Sequence, residues 1–257
     1  MGGLFDLTGQ VAIITGGNGG IGLGMAHGLV EAGARVVVSG RNAEKSAAAV
    51  EELNAKRDGV AIAIECDVDD PEQITRLISQ TVDRLGGLNI MVNNAGIGIR
   101  KRPELYTLDE YHKVMNTNLT ALFLCCQAAY WPMKEAGGGK IINTGSMASI
   151  LGHPYSPVYA AAKGGVVQLS RSLAIAWAED NIQVNTILPG WIETTMTDGA
   201  KQYMPELEQR VLRRTPAGRW GKPRDLAGAA VFLAAPASDY VTGTAIPIDG
   251  GYSIHMP

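Results

Sequence analysis

The sequence predicts an α/β fold: a doubly wound, parallel β-sheet with helices on both faces. Short apolar runs rich in β-branched residues alternate with helix-like patterns from end to end, which is typical of βαβ units. No low-complexity linker interrupts the alternation, and 257 residues suit one domain. A glycine cluster at 16–22 also lies between the first apolar run and the first helical pattern. We therefore expect a single domain over residues 1–257.

Seven apolar runs are the predicted strands, and each is bounded by turn-forming residues or a helical pattern. They cover 11–15, 35–39, 61–65, 89–93, 140–144, 183–188 and 245–248. The predicted helices cover 20–32, 43–56, 71–85, 105–117, 119–136, 157–179 and 224–235. Because crossover helices cover both faces of such a sheet, strands this apolar are expected to pair in parallel.

Composition excludes several classes of protein. Apolar residues make up 46% of the chain and charged residues 18%, as in an ordinary globular enzyme. A net charge of -3 argues against a nucleic-acid-binding protein, which is usually basic. No apolar run is long enough to span a membrane, and residues 1–10 lack the basic start and apolar core of a signal peptide. We expect a cytoplasmic protein with neither nucleic-acid nor membrane partners.

The cysteine and histidine patterns do not indicate a disulfide framework or a metal site. The three cysteines, Cys66, Cys125 and Cys126, form no C-x-x-C pair, which fits reduced thiols. The four histidines are scattered, with no H-E-x-x-H motif. No catalytic metal is expected.

The glycine cluster reads GGNGGIG from Gly16 to Gly22 and follows an apolar run that ends at Thr15. Glycines at such a turn let the backbone approach a pyrophosphate, whose charge is favoured by the N-terminus of the next helix. Its place between a strand and a helix indicates a dinucleotide site.

Tyr159 and Lys163 are four residues apart, so their side chains share one face of a helix. Ser156 is a plausible N-cap and Pro157 a plausible first-turn residue, which places the start of that helix here. The ammonium would favour the phenolate and ease transfer of the phenolic proton. Most such pairs elsewhere lie on surfaces without function, so this pair gains its meaning from its surroundings.

Ser146 comes thirteen residues before Tyr159, just past the predicted strand 140–144. Ligands of open parallel sheets bind outside the carboxyl ends of the strands. A hydroxyl there can donate to a carbonyl or alcohol oxygen. The alternative is a serine that only caps a turn.

Taken together, these motifs resemble the short-chain dehydrogenase/reductase family over nearly the whole chain. The matching residues are Thr15, Gly16, Gly20 and Gly22 (TGxxxGxG), Asn93 to Gly96 (NNAG), Asn118, Ser146, Tyr159 and Lys163 (the family's catalytic Asn, Ser and YxxxK), and Pro189, Gly190 and Thr194 (PGxxxT).

The resemblance implies a Rossmann-type fold and hydride transfer between the nicotinamide and a carbonyl or secondary alcohol. Tyr159 would be the acid in reduction and the base in oxidation, and Ser146 would orient the substrate oxygen. Lys163 would lower the pKa of Tyr159 and bind the nicotinamide ribose. Asn118 would hold a water that links Lys163 to solvent.

The resemblance also places a set of residues at the cofactor. They are Gly16, Asn18, Gly20, Ile21, Gly22, Ser39, Arg41, Asp67, Val68, Asn94, Ala95, Gly96, Tyr159, Lys163, Pro189, Gly190, Ile192 and Thr194. The Ile192 backbone and the Thr194 hydroxyl would hold the nicotinamide carboxamide. Asp67 could accept from the adenine amine, or cap the helix that begins near Pro71, or do both.

The end of the second strand favours NADP(H) over NAD(H). A carboxylate about twenty residues past the glycines would bind a ribose 2′-hydroxyl, and in the family it stands at about Gly40. Here it is missing and Arg41 follows, which favours a 2′-phosphate, with Ser39 as a further hydroxyl donor. Many NADP users also have a basic residue in the glycine loop, where this chain has Asn18. The alternative is that Arg41 only faces solvent and either cofactor binds.

Two cationic segments bear on the substrate. Arg100, Lys101 and Arg102 follow the fourth strand and could attract an anion, although charge runs more often face water, which we favour here. Residues 193–216 match the family's substrate lid, which would exclude water. Four arginines lie in or beside this segment: Arg210, Arg213, Arg214 and Arg219. They could bind an anion, face solvent or contact a neighbouring subunit. His153 and Trp191 could line the pocket, although packing is as plausible for Trp191.

The opening residues LFDLTG, from Leu4 to Gly9, are similar to the start of gluconate-type sugar-acid dehydrogenases. With the cationic loops, they favour a keto-sugar acid such as a ketogluconate. The alternatives are a 3-oxoacyl thioester reductase and a broad-specificity ketone reductase. A cofactor-binding scaffold without chemistry is a further alternative. The presence of all four catalytic residues, Asn118, Ser146, Tyr159 and Lys163, argues against it. The resemblance also implies a homotetramer, joined through the helices at 105–136 and the chain's end.

Overall fold

The computed structural model describes residues 3–204 and 206–255, with the backbone alone at 202 and 203. Met1 and Pro205, which the sequence placed in the opening segment and the lid, lie outside the described residues. The strands are β1 (Val11–Thr15), β2 (Arg35–Gly40), β3 (Ala61–Glu65), β4 (Ile90–Asn93), β5 (Gly139–Thr144), β6 (Ile182–Pro189) and β7 (Ala245–Ile248). All pair in parallel in one sheet, in the order β3-β2-β1-β4-β5-β6-β7.

The helices connect these strands across both faces of the sheet. They are α1 (Gly20–Glu31), α2 (Ala43–Asn54), α3 (Pro71–Leu85), α4 (Leu108–Met115), α5 (Ala121–Glu135), α6 (Pro157–Ala176), α7 (Thr195–Tyr203), α8 (Leu207–Arg214) and α9 (Ala227–Ala234). The doubly wound parallel sheet that the sequence predicts is confirmed.

Side chains of the central strands alternate between two cores. Ala12 and Ile14 of β1 pack with α1 and α9 on one face, and Ile13 packs with α3 and α5 on the other. A strand buried on both faces reads as a continuous apolar run, which is why the sequence shows no alternation there. Strand order reverses beside β1, because the chain winds outwards through β2 and β3 and then returns to β4. The reversal opens a crevice at the carboxyl ends of β1 and β4.

The boundaries of α4 and α5 differ from the prediction. Pro103–Leu105 forms a 3₁₀ turn, and α4 begins after Thr107, whose side chain accepts from the backbone N–H of Glu110 in a capping box. The two helices are joined by a π-helical stretch, Asn116–Thr120, instead of a break at residue 118. Single π-helical turns of this kind often occur at functional sites.

Helix α6 begins as predicted and ends earlier. Ser156 occupies the N-cap position, but its side chain makes no capping hydrogen bond. The helix stops at Ala176, and a 3₁₀ turn, Ala178–Asp180, leads to Asn181 in the left-handed conformation. An asparagine tolerates that conformation better than most residues, and Asn181 ends the 3₁₀ turn directly before β6.

None of the helices formed by the described residues combines the length and the apolar run that crossing a membrane requires.

Candidate active site

The glycine loop between β1 and α1 has a shape that larger residues would disrupt. Gly16 and Gly20 have φ values of +63° and +50°. A β-carbon on Gly22 would lie 2.3 Å from the carbonyl oxygen of Gly16 and 2.6 Å from Nδ2 of Asn94. That Asn94 nitrogen donates to the carbonyl oxygens of Thr15 and Gly16, at 3.1 and 3.2 Å. Asn94 therefore holds the glycine loop against the end of β4.

These residues fit a dinucleotide. The first turn of α1 carries no acidic side chain, so its N-terminus keeps its attraction for a phosphate. Asn18 and Ile21 are half-buried at the start of this helix. A β-carbon on Gly20 would lie 3.2 Å from Cγ2 of Thr194, so the glycine loop and the segment after β6 face each other. The bare backbone between them is where the sequence predicts that the phosphates and the nicotinamide end bind.

At the end of β2, the chain carries the guanidinium of Arg41 and has glycine, not an acidic residue, at position 40. Arg41 is two-thirds exposed, and its Nη1 lies 3.7 Å from Oδ2 of Asp67. A β-carbon on Gly40 would lie 2.5 Å from Nδ2 of Asn18, and that nitrogen donates to Oγ of Ser46 at 3.0 Å. The amide of Asn18 thus fills the space beside Gly40.

The expectation for Ser39 is corrected by its burial. Its exposed fraction is 0%, because its side chain lies inside the sheet beside the buried thiol of Cys66. A hydroxyl sealed there cannot donate to a phosphate in the crevice. The sequence could not reveal this, since Ser39 and Arg41 are equally close to the strand end.

Asp67 and Val68 follow β3, and Asp67 is not the cap of α3. Oδ1 of Asp67 accepts from the backbone N–H of Asp69 at 3.1 Å. The cap is Asp70, whose carboxylate accepts from the N–H groups of Glu72 and Gln73. The capping alternative for Asp67 is therefore wrong, and its carboxylate stays half-exposed beside Arg41.

Helix α6 carries Tyr159 and Lys163 on one face, with the Lys163 ammonium 5.8 Å from the centre of the Tyr159 ring. Lys163 is 3% exposed, and its Nζ donates to the carbonyl oxygen of Thr144 at 2.6 Å. Burial lowers the pKa of Lys163 to about 8. Thr144, which the sequence did not single out, thus orients the lysine from the end of β5.

Burial raises the pKa of Tyr159, and two neighbours oppose this. The hydroxyl of Ser146 can hydrogen-bond to the phenolate oxygen, and the charge of Arg100 favours the phenolate. The sequence assigned this second effect to Lys163. In the structure the charge of Arg100 acts in this direction as well, and the effect of Lys163, whose ammonium lies 5.8 Å from the centre of the Tyr159 ring, stays a prediction.

Ser146 is held by a second serine that the sequence analysis did not identify. The Ser146 hydroxyl accepts from the N–H of Ala148 at 3.1 Å, and the Ser146 N–H donates to Oγ of Ser149 at 3.1 Å. Oγ of Ser149 in turn donates to the carbonyl oxygen of Lys163 at 2.8 Å. Ser149 therefore ties the Ser146 turn to α6. Its position three residues after Ser146, as in a capping box, was the available signal.

Asn118 lies in the π-helical stretch and is fully buried. Its Nδ2 donates to the carbonyl oxygens of Ile97 and Val114, at 2.8 and 3.0 Å, and its Oδ1 accepts from the N–H of Ile97 at 3.0 Å. A β-carbon on Gly96 would lie 2.6 Å from that Oδ1 and 3.6 Å from Nζ of Lys163. Asn118 thus braces the loop after β4 directly beside Lys163, and Ala95 is anchored by an N–H bond to Oγ1 of Thr15.

The three cations of the loop after β4 have different surroundings. Nζ of Lys101 lies 2.6 Å from a carboxylate oxygen of Glu110, and Nε of Arg102 lies 2.5 Å from one of Glu104. Arg100 is half-buried, and its Nε is buried with no hydrogen-bond partner among the described residues. The expectation of a solvent-facing run therefore does not describe Arg100, which faces Tyr159.

The segment after β6 has structural contacts of its own. The Thr194 hydroxyl accepts from the N–H of Thr197 as the cap of α7, and the carbonyl oxygen of Ile192 accepts from the Thr197 hydroxyl at 2.7 Å. A β-carbon on Gly190, next to Pro189, would lie 2.7 Å from Cα of Asp249. Contacts of these residues with a nicotinamide stay predictions.

Trp191 and two of the arginines at residues 210–219 contact other side chains of the protein. Trp191 packs against Trp220, with ring centres 5.6 Å apart. Arg214 lies over the Tyr252 ring at 4.5 Å, and Arg219 forms a two-point ion pair with Asp225. None of the ion pairs among the described residues involves Arg210 or Arg213.

Known proteins are similar to this chain along nearly its whole length. A family model described as Enoyl-(Acyl carrier protein) reductase matches residues 16–253. The 2-dehydro-3-deoxy-D-gluconate 5-dehydrogenase of Dickeya dadantii is 40% identical over 249 residues, which is 96% of this chain and 97% of that protein. The 5-keto-D-gluconate 5-reductase of Escherichia coli is 39% identical over 249 residues, with the same two coverages.

A solved structure agrees in shape as well as in sequence. The gluconate 5-dehydrogenase of Burkholderia cenocepacia, in complex with NADP and tartrate, has a TM-score of 0.93 and 39% identity, and 98% of each chain is covered. The chain belongs to the short-chain dehydrogenase/reductase family of NAD(P)-dependent oxidoreductases.

Proposed function

We propose that the protein is an NADP(H)-dependent oxidoreductase that interconverts a keto-sugar acid, such as a ketogluconate, and its alcohol. The observation that carries the substrate class is Arg100, a half-buried guanidinium beside Tyr159 with a buried, unpartnered Nε among the described residues. A desolvated cation next to the reacting phenol is unfavourable unless an anion joins it. A substrate that carries a carboxylate supplies that anion.

The proposed roles follow from the geometry. Tyr159 donates its phenolic proton to the carbonyl oxygen in reduction and takes it back in oxidation, and the Ser146 hydroxyl orients that oxygen. NADP(H), when bound, supplies or accepts the hydride. Lys163 lies beneath the bare backbone of Gly96, where it can reach the nicotinamide ribose. Asn118 braces that loop, and its predicted water relay to Lys163 is part of the proposal.

The residues proposed to contact the cofactor are those of the glycine loop, the ends of β2, β3 and β4, and the segment after β6. Arg41 is the candidate ligand of a 2′-phosphate, because Gly40 offers no carboxylate for a 2′-hydroxyl. An acid at position 40 would also have to displace the amide of Asn18. These two features support NADP(H) over NAD(H), as does the NADP bound to the similar gluconate 5-dehydrogenase.

The activities of similar proteins support a sugar acid as the substrate. The similar proteins act on 2-dehydro-3-deoxy-D-gluconate and 5-keto-D-gluconate, and the solved relative holds tartrate, a hydroxy dicarboxylate. The description of the matching family model favours a second candidate, a reductase of acyl thioesters. That substrate would bring no carboxylate for Arg100 to bind.

The deciding experiment is the initial rate of NADPH oxidation with 5-ketogluconate and with an acetoacetyl thioester, with NADH in parallel. We expect turnover of the sugar acid with NADPH. L-sorbose is a matched control, because it has the same ketone and hydroxyls with CH₂OH in place of the carboxylate. Turnover of the thioester alone would overturn the substrate proposal, and faster reaction with NADH would overturn the role of Arg41.

We also propose that residues 193–216 form a substrate lid, and that the protein works as a cytoplasmic homotetramer. Exposed apolar side chains on α4 and α5, Leu108 and Trp131, and near the chain's end, Tyr240 and Ile254, support such an assembly. Light scattering of the purified protein tests it. A monomer at micromolar concentration would contradict the assembly and leave the chemistry untouched.

A further inference from the structure

Two loops bring Arg100 and His153 together at the mouth of the candidate site. The N–H of Lys101 donates to the carbonyl oxygen of Tyr155 at 2.9 Å, and the N–H of Ser156 donates to that of His153 at 3.3 Å. The first bond holds the loop after β4 against the loop before α6, and the second closes a turn within the latter loop. Nε of Arg100 and Nδ1 of His153 are both buried, and neither has a hydrogen-bond partner among the described residues. Buried polar atoms without a partner in the protein are expected to hydrogen-bond to a bound molecule.

Helices α7 and α8 cover the same place from the other side. Nη1 of Arg100 reaches the carbonyl oxygen of Met196 in α7 at 3.5 Å. Helix α8 packs beside α7 through buried Leu207 and Val211. Arg210 is three residues after Leu207 and one before Val211, so it borders the buried face of α8. Arg213 is rotated farther from that face, and both arginines are exposed.

The charges at this mouth are of one sign. His153 is half-buried, and burial together with the charges of Arg100 and Arg210 lowers its pKa, so the imidazole is neutral at pH 7. The charges of two guanidinium groups therefore act on one neutral ring. No ion pair among the described residues neutralises either arginine. An anion that binds between them relieves their repulsion.

We propose that Arg210 and His153 complete, with Arg100, a receptor for a carboxylate that bears a hydroxyl on the adjacent carbon. The guanidinium groups bind the carboxylate, and the neutral imidazole bonds to the hydroxyl. Because Arg210 belongs to α8, the charge of the substrate also holds α7 and α8 over the site. This inference rests on the proposed function and makes two residues outside the catalytic tetrad determinants of specificity.

The first test compares Arg210→Gln with Arg213→Gln, the matched loss of charge on the same helix. For Arg210→Gln, kcat/KM with 5-ketogluconate is expected to fall roughly tenfold, the scale of one charged hydrogen bond. Its kcat/KM with L-sorbose is expected to change less than about twofold. Arg213→Gln is expected to leave both unchanged. Equal effects of Arg210→Gln on the two substrates, or none on 5-ketogluconate, would overturn the receptor.

The second test measures binding without turnover, so it does not depend on the reaction. Tartrate is titrated into the protein with NADP⁺, with threitol as the neutral control, and tryptophan fluorescence reports on Trp191 and Trp220 beside α8. We expect tartrate to bind and threitol not to bind. Arg210→Gln is expected to bind tartrate about tenfold more weakly than the wild type. The loss of tartrate affinity is expected to be smaller in His153→Gln than in His153→Ala. Unchanged tartrate affinity in Arg210→Gln would refute the receptor. Arg210-dependent binding without turnover of 5-ketogluconate would refute the proposed function alone.

Discussion

At the scale of single residues, Tyr159 carries the proposed proton transfer. Its phenol lies beside Ser146 and Arg100, and removing its hydroxyl removes the proposed proton donor. Tyr159→Phe is expected to lower kcat by roughly a hundredfold or more, the scale of a lost general acid. Steady-state rates with NADPH measure this, and unaltered protection against thermal unfolding by NADP⁺ would show that the cofactor still binds. Turnover close to that of the wild type would sink the assignment.

Arg100 is expected to set the pH dependence of alcohol oxidation. Oxidation needs the phenolate of Tyr159, and the charge of Arg100 lowers the pKa of Tyr159. In Arg100→Gln that pKa rises, so the acid limb of kcat against pH should move to higher pH. Arg102→Gln is the control, because Arg102 is paired with Glu104. Superimposable profiles for wild type and Arg100→Gln would contradict the electrostatic role.

Lys163 links protonation to stability. Its pKa is about 8 in the folded protein against an ordinary 10.5, so between these values the unfolded chain holds a proton that the folded chain has lost. The free energy of unfolding contributed by this group therefore rises with pH across that window, by about 3 kcal/mol in full.

The measurement is urea unfolding of the wild type and Lys163→Met at about pH 7 and about pH 9.5. Relative to the variant, the wild type is expected to gain about 2 kcal/mol at the higher pH. Other titrating groups change in both proteins and cancel in the difference. A difference that is constant with pH would mean that Lys163 keeps its proton when buried.

At the scale of an element, the turn from β1 to α1 is shaped by contacts within the protein as well as by the phosphates it is proposed to bind. Gly22→Ala would push a methyl group against the Gly16 carbonyl, at 2.3 Å. We expect a loss of about 2 kcal/mol or more in the free energy of unfolding, the scale of overpacking at a site that cannot relax. Gly19→Ala is the control, since its β-carbon would meet nothing within 4 Å. Chemical denaturation without cofactor decides between them, and equal stability of the two variants would refute the packing argument.

At the scale of the whole molecule, the strands could be predicted because β-branched runs between helical patterns have few other solutions. The proximity of Ser146, Tyr159 and Lys163 followed from the rule that ligand sites lie at carboxyl ends of parallel strands, together with family spacing. The different surroundings of Arg100 and its two neighbours could not be predicted, because the partners Glu104 and Glu110 are set by where α4 begins. The burial of Ser39 was equally hidden, since it depends on how β2 sits between its neighbours.

The π-helical stretch at Asn116–Thr120 has a consequence for how this chain tolerates changes in length. It holds one more residue than an α-helical turn would need, and that surplus is what aims Asn118 at the loop after β4. Deleting a single residue there would restore a continuous α-helix and leave α4 and α5 in nearly the same relative orientation, because the π-helical turn absorbs the surplus residue. Val114 of α4 would therefore still pack inwards. Asn118 would lose the position from which it contacts Ile97, so a change of length here would alter the candidate site and not the packing of the two helices.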